Sequence, residues 1–237
     1  MNHQSRTEYD SQQDQQLRGL LSAQEDVWRI FRVMAEFVEG FTMMAKQKNL
    51  VSVFGSARLK PDSRYYQLAV QVAKELVKHG FNVLTGGGPG IMEAANRGAQ
   101  EQKGDSVGAA IELPHEEGVN KYIDNGRLRM FRHFFVRKVM FVKYAHGFIV
   151  MPGGFGTFDE FFEALTLVQT NKTKTFPIVL MGSDYWKGLV DWIKTTVVQE
   201  KMISPEDMDL FHVTDDPVEA ATIIEDFYKK NVMITNF

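Results

Sequence analysis

The 237-residue chain contains no cysteine. That excludes disulfide bridges, thiolate metal sites and any chemistry built on a cysteine nucleophile. No apolar run approaches the roughly 18 residues of a membrane-spanning helix, and the opening MNHQSRTEYDSQQDQQ lacks the apolar core of a signal peptide. Basic residues are not in excess: 27 Lys and Arg stand against 30 Asp and Glu, a net charge of −3. The chain therefore lacks the electrostatic footprint of a nucleic-acid binder. Two familiar phosphate signatures are missing as well. Neither glycine-rich stretch has the G-x-G-x-x-G spacing of a dinucleotide site or the Gly-Lys-Ser/Thr ending of a P-loop. These absences point to a cytoplasmic protein with neither nucleic acid nor membrane as partner.

What is present is an alternation. Residues 1–17 are rich in Gln, Ser and Asp and read as a disordered tail. Ser22-Ala-Gln-Glu25 has the form of a capping box. Val27, Phe31, Met34, Val38 and Phe41 follow at spacings of three and four, which predicts a helix within 18–47 that packs on the body of the protein or on a partner subunit. From residue 48 onward, short continuous apolar runs (VSVFG, FNVLT, SVGAAIEL, RLRMF, GFIVM, PIVLM, DLFHVT) alternate with amphipathic segments over 62–79, 90–103, 133–145, 156–170, 185–200 and 217–230. Asp62 is the expected cap and Gly80 the expected stop of the first of these helices. Strands without polar alternation, separated by helices, predict an α/β fold: a Rossmann-like, doubly wound parallel sheet with helices on both faces.

Three of the predicted strands end in small or glycine-rich turns: Gly55-Ser56, Gly86-Gly87-Gly88-Pro89-Gly90, and Gly153-Gly154-Phe155-Gly156-Thr157. In an open parallel sheet these all open on the edge where ligands bind. Tight turning needs one or two glycines. Clusters of this size also allow a backbone to approach an anion, with helix N-terminal amides directed at a phosphate. A single phosphate, as in a nucleoside monophosphate, suits such loops better than a magnesium-bound triphosphate. The Ser56 and Thr157 hydroxyls serve the same end or cap the helices that follow.

Glu160 lies in the first turn of the helix after the third loop. Alone, it would be an acid favoured by the helix dipole, worth under about 1 kcal/mol. Next to a phosphate-type loop it becomes a candidate catalytic carboxylate. Asp159 points about 100° away, while Glu163, on the same face, competes for the role. The preceding segment FRHFFVRKVMFVKYA places Arg137 and Lys138 among aromatic and methionine side chains, as charges held near a pocket rather than on a loose basic surface. Glu93, after the second loop, is placed to contact a ribose or to be a solvated helix acid. Met92 and Met140 either wall a base site or pack in the core. His115 and His133 stand alone in the sequence and are not counted as catalytic.

PGGFGTFDE resembles the P-G-G-x-G-T-x-x-E signature of the Lonely Guy (LOG) family, and GGGPGIMEAANRGA and RKVM resemble that family's other two motifs, in the same order. The resemblance covers roughly residues 48–230 and is nearer the longer bacterial branch, whose members are often labelled lysine decarboxylases. It implies a phosphoribohydrolase that releases the base from nucleoside 5′-monophosphates such as AMP or a cytokinin riboside monophosphate, without a metal or organic cofactor. It implies Arg137 and Glu160 as the catalytic pair and Gly153, Gly154, Gly156 and Thr157 as phosphate holders. It also implies a homo-oligomer, at least a dimer, because the family's cleft is completed by a second subunit. The contrasting reading of the same loops is a carrier or sensor that binds a nucleotide or phosphate-bearing cofactor without catalysis. Pyridoxal chemistry is not expected, since no lysine has the setting of a Schiff base.

Overall fold

A computed structural model of the chain describes residues 26–112 and 118–230. The tail 1–17, the capping box at Ser22–Glu25 and His115 lie outside the described residues. Helix α1 spans 26–44. There follow β1 (Leu50–Phe54), α2 (Arg64–Lys78), β2 (Asn82–Thr85), α3 (Ile91–Glu101), β3 (Ser106–Ile111), β4 (Leu128–Phe131), α4 (Phe134–Tyr144), β5 (Ala145–Val150), α5 (Phe155–Gln169), β6 (Ile178–Met181), α6 (Ser183–Trp192), β7 (His212–Thr214) and α7 (Pro217–Lys230).

The seven strands form one sheet in the order β4-β3-β2-β1-β5-β6-β7, and every pairing is parallel. The central strands are apolar without interruption because each is covered on both sides. Their alternate side chains go to two separate cores. Leu50, Leu84, Phe148, Val150, Ile178 and Leu180 face the layer of α1, α4, α5 and α6. Val51, Val53, Val83, Ile149 and Val179 face α2, α3 and α7. The chain winds outward from β1 through β2, β3 and β4, then returns to place β5 on the other side of β1. The order therefore reverses between β1 and β5, and their carboxyl ends part to leave a crevice.

Several boundaries differ from those read in the sequence. Helix α2 begins at Arg64 with Ser63 as its N-cap, not Asp62; Gly80, at φ +84°, ends the segment as expected. The stretch 185–200 is not one α-helix: α6 runs from Ser183 to Trp192 and continues as a π-helical turn, Ile193–Val197. Asp209 and Leu210 belong to a 3₁₀ turn, Pro205–Leu210, closed by a capping box between Ser204 and Asp207, so the last strand is only three residues long.

Of the α1 stripe read in the sequence, Phe41 packs against the core and the other four residues face outward. Val27, Phe31, Met34 and Val38 are all more than half exposed. Its buried face is set by Glu36, Gly40 and Met44, flanked by Val33, Phe37 and Phe41 against the core. A glycine and a glutamate in the centre of that face hide it from an apolar count. No helix among the described residues is long and apolar enough to cross a membrane.

Candidate active site

The crevice between β1 and β5 is a cleft of about 800 Å³. The three glycine-rich turns meet there through one residue. The Ser56 N–H donates to the Pro152 carbonyl at 3.0 Å, and the Ser56 carbonyl accepts from the Ile91 N–H at 3.0 Å. The Ser56 hydroxyl accepts from the Arg58 N–H at 3.1 Å, which turns the first loop back over the cleft.

Two glycines are required by this closeness. Gly90 has φ +67°, and a Cβ there would lie 2.3 Å from the Ser56 carbonyl oxygen. A Cβ at Gly153 would lie 2.0 Å from Thr157 Oγ1. Gly154 and Gly156 have no such neighbours, so their freedom is not taken up by the protein itself. The second loop is pinned by a buried polar network. Thr85 Oγ1 accepts from the Gly87 N–H at 2.9 Å and donates to Asn96 Oδ1 at 2.6 Å. Asn120 Nδ2 donates to the carbonyls of Gly87 and Gly88 and to Asn96 Oδ1.

Of the residues singled out in the sequence, Gly55, Ser56, Gly86, Gly88, Met92, Arg137, Gly153, Gly154, Gly156, Thr157 and Glu160 line the cleft. Met92 lies over the second loop, where Cβ atoms at Gly86 and Gly88 would meet its Sδ at 2.8 Å and its Cε at 2.6 Å. Gly87 and Gly90 shape the loops from behind. Glu93 does not face the cleft. Its Oε1 accepts from the Tyr66 hydroxyl at 2.9 Å, and burial together with this carboxylate pushes the Tyr66 phenol up to about 12.

Lys138 also lies outside the cleft. Adjacent helix positions diverge by about 100°, so with Arg137 facing inward Lys138 turns to an outer groove. There its Nζ pairs with Asp159 at 2.9 Å and Glu163 at 3.1 Å. Burial works against its charge, but these two carboxylates hold its pKa above the ordinary lysine value. Met140 is fully buried core, and His133 is turned to Glu36.

Glu160 and Arg137 carry the charge inside the cleft. Glu160 is 5% exposed, and its Oε2 has no hydrogen-bond partner among the described residues. Burial raises its pKa to about 7. Lys138 and Arg137 pull it down, while Glu163 and Asp159 push it up. The Arg137 guanidinium lies over the rings of Phe134 at 5.0 Å and Phe141 at 5.6 Å, contacts that fix a cation without screening it.

Several further residues that the sequence analysis did not single out for the site also line the cleft. Tyr185, from α6, donates its hydroxyl to the Gly153 carbonyl at 2.5 Å and so holds the third loop. Tyr65 and Arg58 edge the opening, and Phe155 stands 92% exposed at its lip. Tyr65 on α2 and Tyr185 on α6 stand apart from the glycine loops in the chain, and only the fold brings them to the cleft. An acid that burial makes able to take a proton near neutrality, a fixed cation and open glycine amides can bind an anionic ligand and move a proton beside it.

The family model described as "Possible lysine decarboxylase" matches residues 92–224. A cytokinin riboside 5′-monophosphate phosphoribohydrolase of Arabidopsis thaliana is 27% identical over 171 residues, which are 71% of this chain and 78% of that protein. A probable enzyme of the same description from Oryza sativa subsp. japonica is 30% identical over 159 residues, 65% of this chain and 63% of that one. A pyrimidine/purine nucleotide 5′-monophosphate nucleosidase of Escherichia coli K12 is 29% identical over 163 residues, but the match spans only 35% of its length. Among solved structures, the Chlamydomonas reinhardtii molybdenum cofactor carrier protein shares the fold, with a TM-score of 0.53 at 20% identity over 77% of this chain and 99% of that one. The structural-genomics target TM1055 gives 0.55 at 25% identity over 76% of this chain and 99% of that one.

Proposed function

The chain belongs to this family, which its motifs identify as that of the LOG phosphoribohydrolases, and on that premise we propose that it hydrolyses the N-glycosidic bond of nucleoside 5′-monophosphates, giving a free base and ribose 5-phosphate. The observation that carries the reading is Glu160: a carboxyl group buried at the wall of a phosphate-type cleft, raised to about 7, beside Arg137. Decarboxylation of lysine through pyridoxal phosphate does not fit, since no lysine among the described residues lines the cleft.

In this reading the 5′-phosphate sits on the amides around Gly154 and Gly156, with the N-terminus of α5 behind them. Contacts to that remote group hold the ribose in place for reaction. As the bond from C1′ to the base nitrogen breaks, its electron pair leaves with the base and the sugar acquires oxocarbenium character. The Glu160 carboxylate stabilises that charge and takes a proton from the water whose oxygen bonds to C1′; the departing base takes up a proton from solvent, and Glu160 returns its own to solvent when the products leave. Arg137 orients Glu160 and fixes the ribose phosphate. Burial strengthens each of these interactions.

The setting is the cytoplasm, and the working form is a homo-oligomer, at least a dimer. The exposed apolar face of α1 and the exposed Phe134 and Phe155 at the cleft support that assembly. Sedimentation measures it: a monomer at micromolar concentration overturns it.

The function is tested by incubating the protein with AMP, other nucleoside monophosphates and an isopentenyladenosine monophosphate, with adenosine as control, and following released base by chromatography. Release from monophosphates alone is the expected result. Tight binding without release would make the protein a carrier.

A further inference from the structure

Helix α1 does more than cover the sheet: one of its side chains holds the entry to the helix that carries Arg137. Glu36 is 8% exposed and lies on the inner face of α1. Both of its carboxyl oxygens are engaged. Oε1 accepts the Arg132 N–H at 3.1 Å, and Oε2 accepts the His133 N–H at 3.3 Å and faces His133 Nδ1 at 3.1 Å. His133 is the N-cap residue of α4, yet its side chain gives the helix no capping bond. The backbone leading into α4 is therefore fixed from α1.

One turn further along α1, Gly40 lies against α4 itself. A Cβ there would be 2.9 Å from Met140 Cε and 3.0 Å from the Phe131 ring. So α1 grips α4 at His133 and again at Met140, and Arg137 sits between the two points. The Arg137 N–H donates to the His133 carbonyl at 3.3 Å, which places the arginine in the turn that Glu36 anchors. Its guanidinium rests on two rings, one of them Phe134 in that same turn. A shift of the turn carries the guanidinium with it.

A buried carboxyl group is a poor choice for packing alone, because an apolar side chain of similar volume would do as well or better. We infer that Glu36 is a positioning residue that sets the place of Arg137 in the cleft, so that the N-terminal helix contributes to turnover without touching substrate. The inference rests on the phosphoribohydrolase reading for its kinetic form only.

The experiment compares the full chain with Glu36→Ala, which removes both acceptors, and Glu36→Gln, which keeps the side-chain length and one acceptor. For AMP hydrolysis, kcat falls about tenfold in Glu36→Ala and less in Glu36→Gln. KM stays within about twofold, because the glycine loops are untouched. In an Arg137→Ala background the Glu36→Ala change makes no further difference to kcat, the mark of action through the arginine. The Arg137 Nε–H resonance, assigned by its loss in Arg137→Lys, shifts in both Glu36 variants with no substrate present. Wild-type kcat with a lowered melting temperature alone, full additivity with Arg137→Ala, or an unmoved resonance would overturn the inference. If the wild-type protein releases no base, the hydrolase reading fails and the resonance alone decides the role of Glu36. If Glu36→Ala does not fold, Glu36→Gln carries the comparison.

Discussion

Glu160 and Glu163 stand three residues apart on α5 and have different neighbours: Glu160 lines the cleft, while Glu163 Oε2 lies 3.1 Å from Lys138 Nζ in the outer groove. Glu160→Gln should therefore reduce kcat for AMP by 10²-fold or more, the scale of a lost proton-transfer group, with AMP affinity by calorimetry nearly unchanged. Glu163→Gln should leave kcat within about threefold, since a part-exposed ion pair is worth roughly 1 kcal/mol or less. Equal losses in the two variants would remove Glu160 from its assigned role.

The raised pKa of Glu160 has two signatures in pH. In the proposed mechanism its ionised form is the active one, so kcat/KM should rise with pH and level off above about 7. Stability should go the other way. The folded pKa lies above the ordinary value of 4.5, so the fold favours the neutral acid. The stability this lends is complete below about 4.5 and is lost as pH rises through 7. Glu160→Gln should melt higher than the wild type at pH 8, by at most about 3 kcal/mol, and the gap should close by pH 4.5. Thermal melts at the two pH values measure it.

Gly153 and Gly156 separate a fold requirement from a ligand requirement. Gly153→Ala drives a Cβ into Thr157 and should lower both melting temperature and activity. Gly156→Ala meets nothing within 4 Å, and Gly156 is not among the positive-φ glycines. It should melt like the wild type, yet raise KM for AMP about tenfold by obstructing the phosphate. A Gly156→Ala enzyme with unchanged KM would place the phosphate elsewhere.

Tyr185→Phe removes the hydrogen bond to the Gly153 carbonyl and nothing else at the site. A hydrogen bond of this kind contributes about 1 kcal/mol. The expected result is a KM for AMP raised about fivefold with kcat little changed, measured by steady-state kinetics. A larger fall in kcat than in affinity would give the hydroxyl a part in the chemistry.

The layered fold and the loop-lined cleft were legible in the sequence because their signals are local. Continuous apolar strands such as Ile178–Met181 and glycines clustered after β1, β2 and β5 can be read without knowing where the chain goes next. The direction a side chain takes was harder. Arg137 and Lys138 look alike as neighbours in one basic segment, but helix geometry turns one into the cleft and the other away. Glu93 reads equally as a ribose contact or a solvated helix acid, because its partner, Tyr66, comes from α2. Glu36 was invisible because its partners lie 96 and 97 residues away. The outward turn of Phe31 and Met34 had no signal either, since an apolar stripe does not declare what covers it.

Ser56 joins the loop after β5 to the start of α3 through one peptide unit on each side, with bonds of 3.0 Å to Pro152 and to Ile91. The three glycine-rich loops are therefore joined into a single part rather than three separate ones. Its shape is complete before any ligand arrives, so little ordering remains for binding to supply. The same coupling sets where the protein can vary. Adding or removing one residue in any of these loops would disturb the other two, so changes in ligand preference must come from side chains at the rim, such as those of Arg58 and Phe155, which take no part in these backbone bonds.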